Sequence, residues 1–339
     1  MEMRLPEHIR VLINPNARVN KHKEISKETV ETLLIHEADV LVTEAVSALP
    51  GAVEKILLGP TDLLIVSGGD GTLHLLLTEM FRQCKDSDLF PPLMVLRGGT
   101  MNMVANNLGN YRSPMMELRI LGKILLDGDA RKLPLQRLPV LSVESSVAPN
   151  PLYGLVFANG IAFRILKEFY NGEPSPARAF NVTASAIIGA FLSKEQERRY
   201  FPRLQASVAV DGKVVGRKDL RISVASAAPK LILWFSVFDD KTATEDGFFF
   251  LANFMKTKEI ARNFWSLCRG GYEGDRHINR AVREVKMEGA EGFTIDGEIY
   301  EATNKDICTI RRGKAVRYLD LSGFSLSLGQ RLGLSSPVE

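Results

Sequence analysis

The stretch Ile65-Val66-Ser67-Gly68-Gly69-Asp70-Gly71-Thr72 decides how this chain is read. An apolar run from Asp62 to Val66 drives into two glycines, an aspartate, a third glycine and a threonine, and a helical pattern follows. Glycines at such a point let the backbone turn sharply and approach a ligand with no Cβ in between. The helix that follows turns its free N–H groups and positive dipole end back toward that ligand. Asp70 adds a carboxylate where a phosphate-bound cation would sit. The pattern predicts a phosphate-binding turn, although it is neither GxGxxG nor GxxxxGK[ST].

Outward from this turn, strands and helices alternate. Strands are expected at His8–Ile13, Ala38–Val42, Asp62–Val66 and Leu93–Leu96, and helices at Lys21–Ile35, Ser47–Leu57, Thr72–Gln83, Met101–Asn107 and Ser113–Leu126. Such repetition predicts a doubly wound parallel α/β domain with ligands at the strand C-terminal ends. Beyond Leu133 the pattern changes. Strand candidates are Val140–Val143, Tyr153–Ala158, Gln205–Val210, Leu220–Ala225, Leu231–Val237, Phe248–Leu251, Arg283–Met287, Gly292–Ile295, Ile299–Ala302 and Ile307–Arg311. The pairs Asp211-Gly212 and Asp296-Gly297 read as hairpin turns between them, giving a mostly antiparallel second domain. Two helices interrupt it, Ile161–Tyr170 and Ala177–Leu192. The second carries Phe180, Ala184, Ile187, Ile188 and Phe191 on one face, as core packing or as a wall for a lipid tail.

Further polar pieces follow successive strands: Asn14-Pro15-Asn16-Ala17, Thr43-Glu44, and a second glycine turn, Arg97-Gly98-Gly99-Thr100-Met101-Asn102. Each alone reads as a loop. Placed after successive strands of one sheet they converge on one rim, and a nucleotide site becomes the better reading. Thr100 and Asn102 would offer a hydroxyl and an amide to phosphate oxygens.

In this order, with Asp246-Gly247 and Asp296-Gly297-Glu298, the motifs resemble the diacylglycerol kinase catalytic-domain family, which includes bacterial lipid kinases and sphingosine kinases. The resemblance implies an N-terminal nucleotide-binding domain, 1–133 with about 322–339 returning to it. It also implies a C-terminal mostly antiparallel β-sandwich lipid domain, 134–321, with the active site in the cleft between them. ATP phosphates would lie against Gly68, Gly69, Asp70, Gly71, Thr72, Gly98, Gly99, Thr100 and Asn102, with Asn14, Pro15, Asn16, Ala17, Arg18 and Thr43 lining the nucleotide. Asp70 would organise the catalytic Mg²⁺, through water because Mg²⁺ keeps much of its hydration shell. Asp296 and Glu298 are the candidate proton acceptors for the lipid hydroxyl; two residues apart on a strand, they would face the same side. Asp246 with the carbonyls of Ala243 and Phe248 would hold a second, structural Mg²⁺; a plain turn is an equal reading.

The chain departs from the family pattern where acids are expected. Met103 follows Gly-Thr-x-Asn, Leu75 sits in the helix after the first glycine turn, and Pro134 stands at the entry to the second domain. Arg18 and Arg97 replace a glycine and a proline. These losses keep open a second reading, a degenerate member that binds nucleotide or lipid without efficient transfer. An NAD kinase is disfavoured by the Asp-Gly-Glu and by a missing Asn-Glu pair.

Composition bounds the rest. With 339 residues, 45% of them hydrophobic, the chain is long enough for two domains with real cores. A net charge of +3 does not suggest a nucleic-acid groove, but it suits contact with an anionic membrane. Cys84, Cys268 and Cys308 show no CxxC spacing, and the five histidines, His74 among them as a helix-surface residue, no metal spacing. The N-terminus lacks the apolar core of a signal peptide. The expectation is a cytoplasmic enzyme peripheral to the membrane, taking a lipid alcohol as substrate, with a homodimer left open.

Overall fold

The structure, a computed structural model, describes residues 1–21, 25–34, 37–99, 102–128, 132–172, 176–216, 218–228, 238, 246–303 and 305–324. It divides into two units, Met1–Leu138 with the chain from Ala315 onward, and Pro139–Lys314. Both divisions fall inside strands, Leu133–Ser145 and Ile307–Leu319, where the sequence reading set boundaries at 133 and 321.

In the first unit, β1 (Ile9–Ile13), β2 (Ala38–Val42), β3 (Leu63–Gly68) and β4 (Leu93–Arg97) pair in parallel in the order β2–β1–β3–β4. Val11, Ile65 and Met94 pack with Val30 and Leu34 of α1 (Lys27–Leu34) and with Leu118 and Leu121 of α5 (Pro114–Asp127). Leu12, Leu64 and Val66 alternate to the opposite face and are also buried. There α2 (Leu49–Leu58) meets α3 (Asp70–Gln83). The sheet is thus doubly wound, as expected. Chain order reverses between β1 and β3, and in open α/β sheets the crevice at such a point binds ligands.

Local chemistry sets the helix ends. Ser113 accepts a hydrogen bond from the Met116 amide ahead of α5, Pro114 occupies its first position, and Gly128 closes it at φ 58°. The helix expected over Lys21–Ile35 is instead a single turn, Arg18–Lys21, and α1. The side chain of Asn20 bonds the carbonyls of Asn14 and Ser67, and Ser26 caps the new start through the Thr29 amide. The return of the chain begins at Ala315: Tyr318 pairs in parallel with Leu93, and Leu319 and Leu321 enter the core. Arg112 donates to the carbonyls of Leu321 (2.8 Å), Ser322 (3.1 Å) and Phe324. Residues 325–339 of the expected return lie outside the described residues.

The second unit is an antiparallel β-sandwich. β5 (Leu133–Ser145) enters it, followed by β6 (Leu152–Gly154), β7 (Val156–Gly160), β8 (Ser207–Val210), β9 (Lys213–Gly216), β10 (Ile222–Ser226), β11 (Phe248–Asn253), β12 (His277–Val282), β13 (Glu284–Glu288), β14 (Gly292–Ile295), β15 (Glu298–Glu301) and β16 (Ile307–Leu319). One six-stranded sheet runs β12–β11–β10–β7–β14–β15. Phe157, Ala225, Phe250, Phe293 and Ile295 of this sheet share a core with Val143, Val208, Val285, Met287 and Ile310 of the other. The strand expected at Leu231–Val237 lies outside the described residues.

Helices α6 (Ile161–Tyr170), α7 (Pro176–Leu192), α8 (Lys194–Tyr200), α9 (Thr257–Arg262) and α10 (Phe264–Cys268) complete the unit. Ile161, Ala186, Tyr200, Phe201 and Ile260 gather on Ile222. Ile222 alternates with the core-facing Ala225, so this helical layer covers the sheet's outer face. On α7, Ala184 is half-buried but Ile188 is 57% exposed, which removes Ile188 from the apolar face expected of that helix. No helix among the described residues is long and apolar enough to cross a membrane.

Arg221 is fully buried and donates to the carbonyls of Met255, Phe201 and Pro202 at 3.1, 2.9 and 3.4 Å, while burial holds its pKa below the usual arginine value. Its removal strands buried carbonyls. Arg221→Ala is expected to cost about 3–5 kcal/mol in denaturant unfolding, whereas the exposed Arg203→Ala stays within about 0.5 kcal/mol.

Candidate functional site

The turns after β3 and β4 touch backbone to backbone. A Cβ on Gly98 would stand 2.5 Å from the Gly68 carbonyl oxygen, and one on Gly99 would stand 2.8 Å from Gly69 Cα. A Cβ on Gly68 would meet the Thr72 side chain at 2.6 Å. None of these glycines has a positive φ. The sequence reading assigned them to a sharp turn and to ligand approach; the structure gives a further cause, the mutual contact of two loops.

That contact is locked from both sides. Asn102, left-handed at φ 51°, accepts from the Gly99 amide at 2.9 Å and donates to the Gly99 carbonyl at 3.0 Å. Its side chain is therefore engaged within the loop rather than offered as the amide expected for phosphate. Thr100 lies outside the described residues. Across the β1–β3 crevice, Asn14 donates to the Thr72 hydroxyl at 2.8 Å. Its Oδ1 accepts from the Asn16 amide at 2.9 Å, and Asn16 reaches the Glu44 carbonyl at 3.0 Å. Thr43 is buried on the Ile13 carbonyl, Ala17 is buried, Pro15 is half-buried and Arg18 is exposed. Gly71 lies in the first turn of α3. The structure thus brings the four strand-end pieces onto one rim.

Asn20 and Ser67 were not read from the sequence. The Ser67 hydroxyl donates to Asn20 Oδ1 at 3.0 Å, and both side chains are buried. An asparagine immediately before the expected helix Lys21–Ile35 was the available signal. His74, expected on a helix surface, is fully buried. Arg97 turns to the Asn106 side chain and the Asn110 carbonyl and lies over the Tyr111 ring, so its charge fastens the segment after α4 (Met103–Asn107).

Asp70 is the first residue of α3, and its carboxylate accepts from the Met103 amide at 2.7 Å, where α4 begins. Two helix starts converge on one carboxylate. Burial nevertheless dominates these bonds and lifts its pKa to about 6. Met103, where the family resemblance places an acid, is 2% exposed. The folded carboxyl keeps its proton to about pH 6, whereas an unfolded aspartate releases it near pH 4. The stability this proton supplies is complete below pH 4 and is lost as pH rises through 6. Asp70→Asn is expected to raise stability at pH 8 by about 1–3 kcal/mol and to flatten its pH dependence between 4 and 6, read by thermal melts. Gly98→Ala is expected to lower stability by more than about 2 kcal/mol, because the new atom meets backbone.

In the second unit, the pair Asp296-Gly297 joins β14 to β15 with φ of 49° and 93°. Asp296 is buried, and its carboxylate accepts from the amides of Leu155 (2.9 Å) and Val156 (2.8 Å). The other Asp-Gly pair repeats this construction: Asp211, at φ 50°, accepts from the amides of Arg283 (2.8 Å) and Glu284 (3.0 Å). Asp296 therefore sits in the turn, and the expectation that it and Glu298 share a strand face is corrected. Glu298 opens β15 opposite Ile295, is half-buried, and has no hydrogen bond or ion pair among the described residues. Burial raises its pKa and, with the neighbouring Glu298 and Asp296 charges, pushes Tyr300 up to about 12. Of the expected metal loop, Ala243 lies outside the described residues, Asp246 is exposed, and Phe248 is buried at the start of β11. No group of three metal-ligating side chains occurs among the described residues.

A doubly wound unit with a glycine-lined rim, joined to a β-sandwich, defines the class of protein. Residues 8–136 match the family described as the diacylglycerol kinase catalytic domain. Three solved structures from Bacillus anthracis str. Sterne share the fold. One, titled a "putative diacylglycerol kinase", is 13% identical over 93% of this chain and 97% of its own, with a TM-score of 0.64. Another, titled a diacylglycerol kinase, is 14% identical over 93% and 97%, with a TM-score of 0.58. A third is 16% identical over 92% and 98%, at 0.59. No curated protein matches the chain in sequence.

Proposed function

We propose that this protein is an ATP- and Mg²⁺-dependent lipid kinase that phosphorylates the hydroxyl of a lipid alcohol. One observation carries the reading most: a carboxylate, Asp70, held half-buried where two glycine turns and two helix starts meet. A raised pKa means that this anion lacks compensation in the protein alone. A cation-bound triphosphate supplies it, so the donor set fits Mg·ATP. When bound, the metal would neutralise charge on the transferring phosphoryl group. The amides of the turns and of α3 hold phosphate oxygens, and Asn14 fixes the Thr72 hydroxyl beside them.

On the acceptor side Glu298 takes the proton from the lipid hydroxyl. It is the hairpin carboxylate with no partner among the described residues, and its raised pKa brings its basicity nearer to neutral pH. Asp296 holds the turn that presents it.

Incubation with labelled ATP, Mg²⁺ and micelles of diacylglycerol, a sphingoid base or an isoprenoid alcohol tests the reading. Label transfer lost in Asp70→Asn supports it; nucleotide binding without transfer to any lipid establishes the degenerate reading instead. Glu298→Gln is expected to lower kcat by about 10²–10⁴ with the fold intact. Asp296→Asn is expected to lower stability by about 1–3 kcal/mol, since one accepting oxygen is replaced by a donor facing amides. Mg·ATP affinity should weaken about tenfold per pH unit below pH 6, as binding must displace the Asp70 proton, and remain flat above it.

A further inference from the structure

Within the second unit, the helical layer bears a surface that neither the core nor the catalytic carboxylates use. Four cations (Lys256, Lys258, Arg262 and Arg276), two acids (Glu259 and Asp275) and Tyr272 line one depression of about 430 Å³. Lys256, Lys258 and Arg262 are exposed and carry no ion pair among the described residues, whereas Arg276 lies 3.7 Å from Glu259. Between Arg262 and Arg269, α10 carries Trp265, 69% exposed. The segment 256–276 holds five basic side chains and three acids, a net positive surface. Helix α9 is seated through Ile260 on the cluster containing Ala186 of α7, so this surface is rigidly carried by the layer over the sheet. Solvent-facing Ile188 belongs to the same layer.

We propose that the surface around Lys256, Lys258, Arg262 and Trp265 is where this protein rests on an anionic lipid bilayer. The inference deepens the lipid-kinase reading and rests on it for its purpose. Tryptophan is stable at the boundary between headgroups and acyl chains, where its ring is apolar and its N–H stays wet. Unpaired cations around it gain from negative lipid headgroups, and the gain is screened by salt. Mixed apolar and cationic exposure suits a bilayer better than a protein partner with a dry apolar centre.

The chain has two tryptophans, so Trp234→Phe leaves Trp265 as a single fluorescent probe. Vesicles of phosphatidylcholine, alone or mixed with phosphatidylglycerol, supply the two surfaces. Flotation and a blue shift of Trp265 emission are expected with the anionic vesicles, falling as salt rises. The combined Lys256→Gln, Lys258→Gln and Arg262→Gln variant should weaken vesicle affinity about 100-fold, and Trp265→Ser about tenfold, with unchanged thermal melts and unchanged ATP binding. Phosphorylation of a bilayer-embedded lipid should fall in parallel, while turnover of a short-chain, monomeric lipid alcohol is retained. Equal affinity of the parent and the charge variant for anionic vesicles overturns the proposal, as does failure of the parent to bind them. If vesicle binding depends on these residues but no lipid is phosphorylated by the parent, the docking surface stands and the kinase reading falls.

Discussion

The contact of two glycine turns is the constraint on which the first unit depends. Parallel strands β3 and β4 lie side by side, so the chains leaving their C-terminal ends must either diverge or touch. Glycine at 69, 98 and 99 lets them touch: a Cβ on Gly98 or Gly99 would stand 2.5 or 2.8 Å from the facing turn's backbone, and one on Gly69 3.2 Å. The rim then has only one shape, and Asn102 and Asn14 pin it from either side. Asp70 is placed by that geometry, and its buried charge is a local cost carried by the scaffold. A carboxylate whose pKa burial raises in this way weakens the fold while it is ionised.

Much of this was legible in the sequence because its signals are local. The period of apolar residues gave β1 to β4 and the long helices, and Ile161–Tyr170 is a helix over the range read from the chain. The helix read over Ser113–Leu126 is α5, whose ends local capping chemistry at Ser113, Pro114 and Gly128 sets. What escaped depends on distant partners. The burial of Asn20 comes from its bonds to the Asn14 and Ser67 carbonyls, and β9 and β12 carry charged or polar residues that blur their alternation. Burial of His74 and Arg221 is set by surroundings that no window of neighbouring residues contains.

The hairpin carboxylates show how two acids of one motif come to differ in structure. In Asp-Gly-Glu the aspartate bonds backbone amides, whereas the glutamate has no hydrogen bond or ion pair among the described residues. The distinction came from comparison inside the chain. Asp211 and Asp296 both adopt left-handed φ and both accept two amides from a neighbouring strand. A side chain that does the same work in two places, only one of which is followed by an acid, is explained by the turn it builds.

The first unit is discontinuous along the chain, and this bears on its synthesis. Leu93 at the open edge of β4 waits for Tyr318, and the carbonyls that Arg112 binds belong to Leu321, Ser322 and Phe324. On the ribosome, the sandwich segment emerges whole before those residues do. The parallel sheet therefore spends translation with an uncovered edge, a vulnerable interval for chaperone capture or mispairing, and it closes only after its downstream neighbour has had time to fold.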